Sequence, residues 1–270
     1  MTPSMSPYLA AAKERKLQEI PYYVDPDPEG ICDHCFPPRE SSFHKAVTRP
    51  TEWTNVVAEF MRRSNIAHAI KLDFAVRSVA KSYEQHGVGA LSIFVDKKFG
   101  GEYEDLMKAR NISELPILCM DFIVDRRQLL FARSAGADAV LLIAQMLDPA
   151  ELKDLCCEAR VLKMEPVVEI SSVHELKAAL STGTRIIGIN NRSFDTFGEV
   201  NFSKTPQLAR EIPPEIAIIS ESGFESRDHI QYILDSTEGR VRAILVGAAL
   251  SRQRSLAALK AKISELTKNP

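Results

Sequence analysis

The chain has no apolar stretch approaching the roughly 18–20 residues needed to cross a bilayer. Its first sixteen residues lack the apolar core of a secretory signal and the arginine richness of a transit peptide. Charge of one sign is not in excess: 34 Lys and Arg against 36 Asp and Glu leave a formal net charge of −2 at pH 7. That balance gives no electrostatic case for nucleic acid or a membrane surface as a partner. Cysteine is sparse, at five in 270 residues, and an odd, scattered count in a chain of this size excludes a disulfide framework. Cys32-Asp33-His34-Cys35 has metal-type spacing, but a structural zinc usually takes its four ligands as two such pairs and no second cysteine pair exists; His44 could complete a set with His34, the less favoured alternative. The expected reading is a turn with buried thiols in a cytoplasmic protein, monomer or homodimer.

What is present is a periodic alternation of short apolar runs with helical segments. Strands are expected at Ile66–Lys71, Ala90–Val95, Ile117–Met120, Ala139–Ile143, Pro166–Ile170, Ile186–Ile189, Ile216–Ser220 and Ala243–Val246. Unbroken apolar runs separated by helices read as parallel strands buried on both faces. Helix signals between them include Asp148-Pro149 as N-cap and first residue, Ser172-Val173-His174-Glu175 as a capping box, and Ser226 as a further cap. Eight such units in about 200 residues are what a (β/α)₈ TIM barrel requires. The alternative, an open doubly wound sheet, lacks its glycine-rich loop, since Lys71-Leu72-Asp73-Phe74 has no glycine. Residues 1–65 are expected to form an N-terminal extension before a barrel over 66–270. Within the extension, Pro7–Ile20 reads as a helix with a basic face (Lys13, Arg15, Lys16). Pro21–Glu40 reads as a loop, and Phe43–Arg63 reads as mostly helical with a break at Pro50.

Several strands end in residues with chemistry to offer, and in such barrels those ends share one face. Gly223 and Gly247 follow strands seven and eight, the usual phosphate corner, where bare backbone N–H groups can approach a dianion. Arg192, just past strand six, can add a forked cation. Glu169 ends strand five without a neighbouring cation in sequence. A carboxylate in an apolar barrel mouth needs a partner or a role, and Lys71 across the mouth is the expected partner. Asn190 and Ser222 complete a polar rim. The set suits acid–base chemistry on a small phosphorylated sugar derivative, with no metal or redox cofactor.

From about Phe43 onward the chain resembles the indole-3-glycerol-phosphate synthase family. The resemblance rests on Pro116-Ile-Leu-Cys-Met-Asp-Phe-Ile-Val-Asp125, Gly136-Ala-Asp-Ala-Val-Leu-Leu-Ile143, Val168-Glu169, Gly188-Ile-Asn-Asn-Arg192, Ser220-Glu-Ser-Gly223 and Leu245-Val-Gly247. It implies a TIM barrel preceded by a helix, and a carboxy-lyase of tryptophan biosynthesis. Such an enzyme closes the indole ring of 1-(2-carboxyphenylamino)-1-deoxyribulose 5-phosphate with loss of CO₂ and water, without a cofactor. It further implies Glu169 as general base, Asn190 and Ser222 as polar rim, and Lys71 as the strand-one lysine that meets the substrate carboxylate. Arg192, Gly223, Gly247 and Ala248 become phosphate contacts, Ala248 standing where the family has serine.

The departures are as specific. The family's Arg-Lys-Asp-Phe at the end of strand three, with its lysine as general acid, is Cys119-Met120-Asp121-Phe122 here. Its strand-one glutamate is expected at Ala69, and its Ser-Pro-Ser loop at Phe74-Ala75-Val76. Met120 can neither donate a proton nor hold a carboxylate, and a positioned general acid is worth about 10²–10⁴ in rate. Three readings follow. In a working synthase Lys71, Lys97 or Lys98 supplies the proton. An altered paralogue acts on, or only binds, another phosphorylated or anthranilate-like compound. A non-enzymatic relative keeps the shape alone, which the retained Glu169, Asn190, Ser222 and Lys71 argue against.

Overall fold

A computed structural model describes residues 5–23, 36–37, 39, 43–63, 74–194 and 199–268. Its centre is a closed barrel of eight parallel strands, each hydrogen-bonded to its sequence neighbours, with the eighth returning to the first. The strands are β1 (Asn55–Phe60), β2 (Ala90–Phe94), β3 (Ile117–Met120), β4 (Ala139–Ile143), β5 (Glu165–Ile170), β6 (Ile186–Asn190), β7 (Ala217–Glu221) and β8 (Ala243–Val246). Val, Ile, Leu and Ala dominate them because each strand is covered by side chains of the barrel interior on one face and by helices on the other. Closure removes both sheet edges, and with them the open-sheet alternative.

Strands β2 to β8 fall where their apolar runs predicted them, within a residue at either end. The first strand does not. The segment Phe43–Arg63, expected to be mostly helical, is a short helix α2 (Phe43–Thr48) followed by β1. Register makes the assignment firm: Val57 pairs with Ala90 on one side and Leu245 on the other. The expected strand Ile66–Lys71 lies outside the described residues. The barrel therefore begins before the boundary expected at residue 66, and the N-terminal extension is shorter by that much. Pro50 carries the physical reason, because it lies just after α2 ends, where a helix cannot run through.

Helix starts follow side-chain chemistry only in part. Asp148 forms the full capping box with Glu151 and has Pro149 at the first helical position, as its sequence predicts. Ser172 and Ser226 do not cap with their hydroxyls. Instead Glu175 takes the Ser171 backbone N–H at 2.6 Å and the Ser172 hydroxyl at 2.7 Å. A further box, Asp125 with Gln128, starts the helix after β3.

Helix α1 (Pro7–Glu19) crosses the barrel beside the ends of β2 and β3. Its expected basic solvent face is broken by Lys16, whose side chain is buried. The Lys16 ammonium lies 2.6 Å from Asp121 and 3.0 Å from Asp96, and Arg15 reaches Asp96 at 2.8 Å. Burial disfavours the charged ammonium, but Asp121 and Asp96 outweigh that and hold the Lys16 pKa above its ordinary value. A buried charge persists only with such partners. The network fixes α1 so that Tyr8, two turns earlier, reaches the barrel mouth.

Candidate active site

One cavity of about 400 Å³ opens at the end of the barrel where the strands finish, a size suited to a small-molecule ligand. Its wall divides by strand. From β1 to β4 and α1 come mainly apolar groups, Tyr8, Met61, Phe94, Phe99, Met120, Phe122, Leu141 and Ile143, with Asp121 among them; from β5 to β8 come Glu169, Asn190, Arg192, Glu221, Ser222 and Gly223, with Phe194, Phe224 and Leu245 between them and Glu59 of β1 beside them. Phe94 and Met120 are register partners, so two neighbouring strands turn apolar groups to the same level. Phe94, Phe99 and Phe122 pack with centroids 4.7–6.2 Å apart.

Three carboxyls meet on the polar side. Glu59, Glu169 and Glu221 are 6%, 5% and 3% exposed. Glycine makes the space: a Cβ on Gly247 would lie 2.0 Å from Glu59 Oε2, and one on Gly188 would lie 2.0 Å from Glu221 Oε1. The Asn190 amide donates to Glu169 at 3.3 Å, while its carbonyl accepts the Arg192 backbone N–H at 2.9 Å. Burial, with Glu169 adding like charge, pushes the Glu59 carboxyl up to about 7. Burial likewise raises Glu169 to about 7, against the lowering hydrogen bonds from Asn190 and Glu221. Glu221 stands well above the ordinary carboxylate range through burial and the nearness of Glu169 and Glu59. Its Oε1 is buried without a hydrogen-bond partner. Near neutral pH these groups divide protons among themselves, so one can donate while another accepts.

The end beyond β6, β7 and β8 is built differently. Ser222 and Gly223 adopt left-handed backbone with φ of +69° and +93°, turning the chain sharply after β7; only Gly223 does so without a Cβ penalty. Arg192 lies near Glu225 and Arg252, and Arg252 is ion-paired to Glu225. Burial pulls the Arg192 guanidinium below its ordinary value, with Glu225 opposing and Arg252 adding to the fall. Gly247 and Ala248 line the same cavity.

Glu169, Asn190, Ser222, Arg192, Gly223, Gly247 and Ala248 are thus gathered around one cavity. Lys71 and Ala69 lie outside the described residues, as do Cys32 and Cys35. Two carboxyls went unassigned in the sequence. Glu59 closes Val56-Val57-Ala58-Glu59 as Glu169 closes Val167-Val168-Glu169, the same apolar run ending in an acid. Glu221 sits inside the quoted Ser220-Glu-Ser-Gly223 motif. With β1 at Asn55–Phe60, an acid of the first strand, Glu59, does line the cavity, and Met61 lies two residues on in the same lining. Phe74 and Ala75 precede the helix Val76–Gln85, and residues 64–73 lie outside the described residues.

A closed eight-stranded parallel barrel with its polar groups at the strand ends places the chain in the TIM-barrel class. Solved structures agree at the level of fold. N-acetylmannosamine-6-phosphate 2-epimerase from Clostridium perfringens gives a TM-score of 0.61 at 14% identity, covering 79% of this chain and 93% of that one. The tryptophan synthase complex from Pyrococcus furiosus gives 0.58 at 16%, covering 79% and 97%. Sequence goes further: the chain belongs to the indole-3-glycerol phosphate synthase family, whose pattern matches residues 16–266. It is similar to the indole-3-glycerol phosphate synthase of Rhodopirellula baltica, with 39% identity over 212 residues, 78% of this chain and 80% of the relative. That of Albidiferax ferrireducens is 41% identical over 198 residues, covering 73% and 74%.

Proposed function

We propose that the chain is a carbon–carbon lyase of the indole-3-glycerol-phosphate synthase type, acting on an arylamino-deoxyribulose 5-phosphate. The reading is supported by the family membership. The observation that carries it is the meeting of Glu59, Glu169 and Glu221 at one cavity with Arg192 and the left-handed turn at Ser222-Gly223. The phosphate is assigned to Arg192, Gly223, Gly247 and Ala248. The ribulose chain is assigned to Asn190, Ser222 and Glu221. The aromatic ring is assigned to the apolar wall of Tyr8, Phe94, Phe122 and Leu141.

With methionine at 61 and 120, the proton chemistry passes to the carboxyls. Glu169, oriented by Asn190, acts as general base. Glu59, whose carboxyl is held up to about 7, serves as the proton donor that Met120 cannot be. Lys98 stands at the rim with its ammonium 5.3 Å from the centroid of Tyr8, available as a second donor. Growth of indole fluorescence from the carboxyphenylamino substrate tests the assignment. Turnover is expected about 10²–10⁴ below that of a relative with both lysines, and abolished in Glu169→Gln. Unchanged activity in Glu169→Gln means that the base is misassigned. Met61 and Met120 also favour a second reading, a paralogue acting on a different phosphorylated aromatic compound.

A further inference from the structure

The segments after β7 and β8 each bring a charged side chain to the part of the cavity lined by Arg192. Glu225 comes from the turn after β7, and Arg252 from the end of the helical turn Ala248–Ser251. The two are ion-paired to each other. The backbone of Glu225 is anchored on both sides. Its carbonyl accepts from the Lys262 ammonium at 3.0 Å, and its N–H donates to His229 Nδ1 at 3.2 Å. Lys262 lies on the last helix, Leu256–Thr267, and pairs with Glu265 at 2.7 Å. Arg252 meets this fixed point with a long side chain of many rotamers.

The pair is a weak one. Both side chains are 41% exposed, and water screens an ion pair that open while two long side chains must be ordered to make it. Arg252 also lies close enough to Arg192 for their charges to oppose each other. A phosphate dianion beside both relieves that opposition, because its oxygens accept forked hydrogen bonds from each guanidinium. Its double charge also exceeds that of the carboxylate it would replace.

Resting on the phosphate assignment made above, we infer that Arg252 is a second phosphate-binding arginine, and that Glu225 competes with the ligand's phosphate for its guanidinium. The ion pair then acts as a threshold on ligand charge. A dianion displaces Glu225, whereas a singly charged group has no advantage over the carboxylate already in place.

Calorimetric titration of inorganic phosphate into the full chain decides the matter. Arg252→Ala is expected to weaken binding about tenfold, the scale of a hydrogen bond to a charged group. Glu225→Gln is expected to tighten it about two- to fivefold, the scale of an exposed ion pair. That gain is expected to vanish in the double variant with Arg252→Ala, since nothing is left to compete for. A purely structural pair would change binding in the same direction from either side. Unchanged or weaker binding in Glu225→Gln overturns the inference, and so does unchanged binding in Arg252→Ala. If Arg192→Ala still abolishes binding in those cases, the phosphate assignment stands without Arg252. A natural chain that fails to bind phosphate overturns the assignment and the inference together.

Discussion

Single residues carry most of what is unusual here. In each of β1, β5 and β7 an acid ends an apolar run, and in two cases a glycine on a neighbouring segment leaves the gap it fills. That arrangement makes pH the first instrument. In the proposed mechanism Glu169 is ionised to accept a proton and Glu59 protonated to give one, and both are held near 7. We expect kcat/KM to be bell-shaped and centred near pH 7, with Glu169 setting the acid limb and Glu59 the alkaline limb. Glu59→Gln should remove the alkaline limb and lower the maximum by about 10²–10⁴; a flat profile from pH 5 to 9 refutes the pairing. Gly188→Ala forces a Cβ against Glu221 Oε1, and we expect it to depress turnover more than phosphate affinity, as steady-state kinetics with phosphate as competitor can measure.

At the scale of elements, the sequence was informative wherever an apolar run was bounded by clear punctuation. β3 and β4 coincide with their predicted bounds because Pro116 precedes the one and Gly136 and Asp138 the other, and β8 because Arg242 and Gly247 bracket an unbroken apolar run. β1 was hidden because Trp53 to Phe60 follows a true helix closely, and Ile66–Lys71 offered a rival run of similar apolarity. The burial of Lys16 was not legible, since nothing local in α1 reports that Asp96 and Asp121 lie just past the ends of β2 and β3. Half the site was legible for a related reason. Glu169 and Asn190 announce themselves at strand ends, whereas the convergence of Glu59 with them depends on barrel closure, a long-range fact. The Lys16 network gives its own prediction. Lys16→Met leaves buried Asp121 without its cation and Asp96 with Arg15 alone, and we expect a loss of about 3–5 kcal/mol, seen as a fall in Tm of roughly 10 °C. A fall of only a degree or two would mean that the pair contributes little.

For the molecule as a whole, the carboxyl cluster sets stability against function. Glu59 and Glu169 rise from an unfolded value of 4.5 to about 7. Between those values the folded chain binds more protons than the unfolded one. Stability from these groups is therefore highest below about pH 4.5, falls as pH rises toward 7, and stays low above it. Glu59→Gln, which keeps the shape without the charge, should be more stable than the natural chain by about 3 kcal/mol at pH 8 and nearly equal to it at pH 4. Denaturant unfolding at the two pH values measures this, and an equal gain at both removes the electrostatic explanation. Inorganic phosphate should raise Tm through mass action on the folded state, and Arg192→Ala should cancel the rise.

The barrel wall is not complete when its eight strands have closed. Tyr8 precedes every strand in the sequence, yet its ring packs against Phe122 just beyond β3 and Phe194 beyond β6. That docking site exists only once the barrel has closed, and without α1 the cavity lacks part of its wall. Saturation with ligand should accordingly slow hydrogen exchange along residues 7–19 as much as at the strand ends themselves.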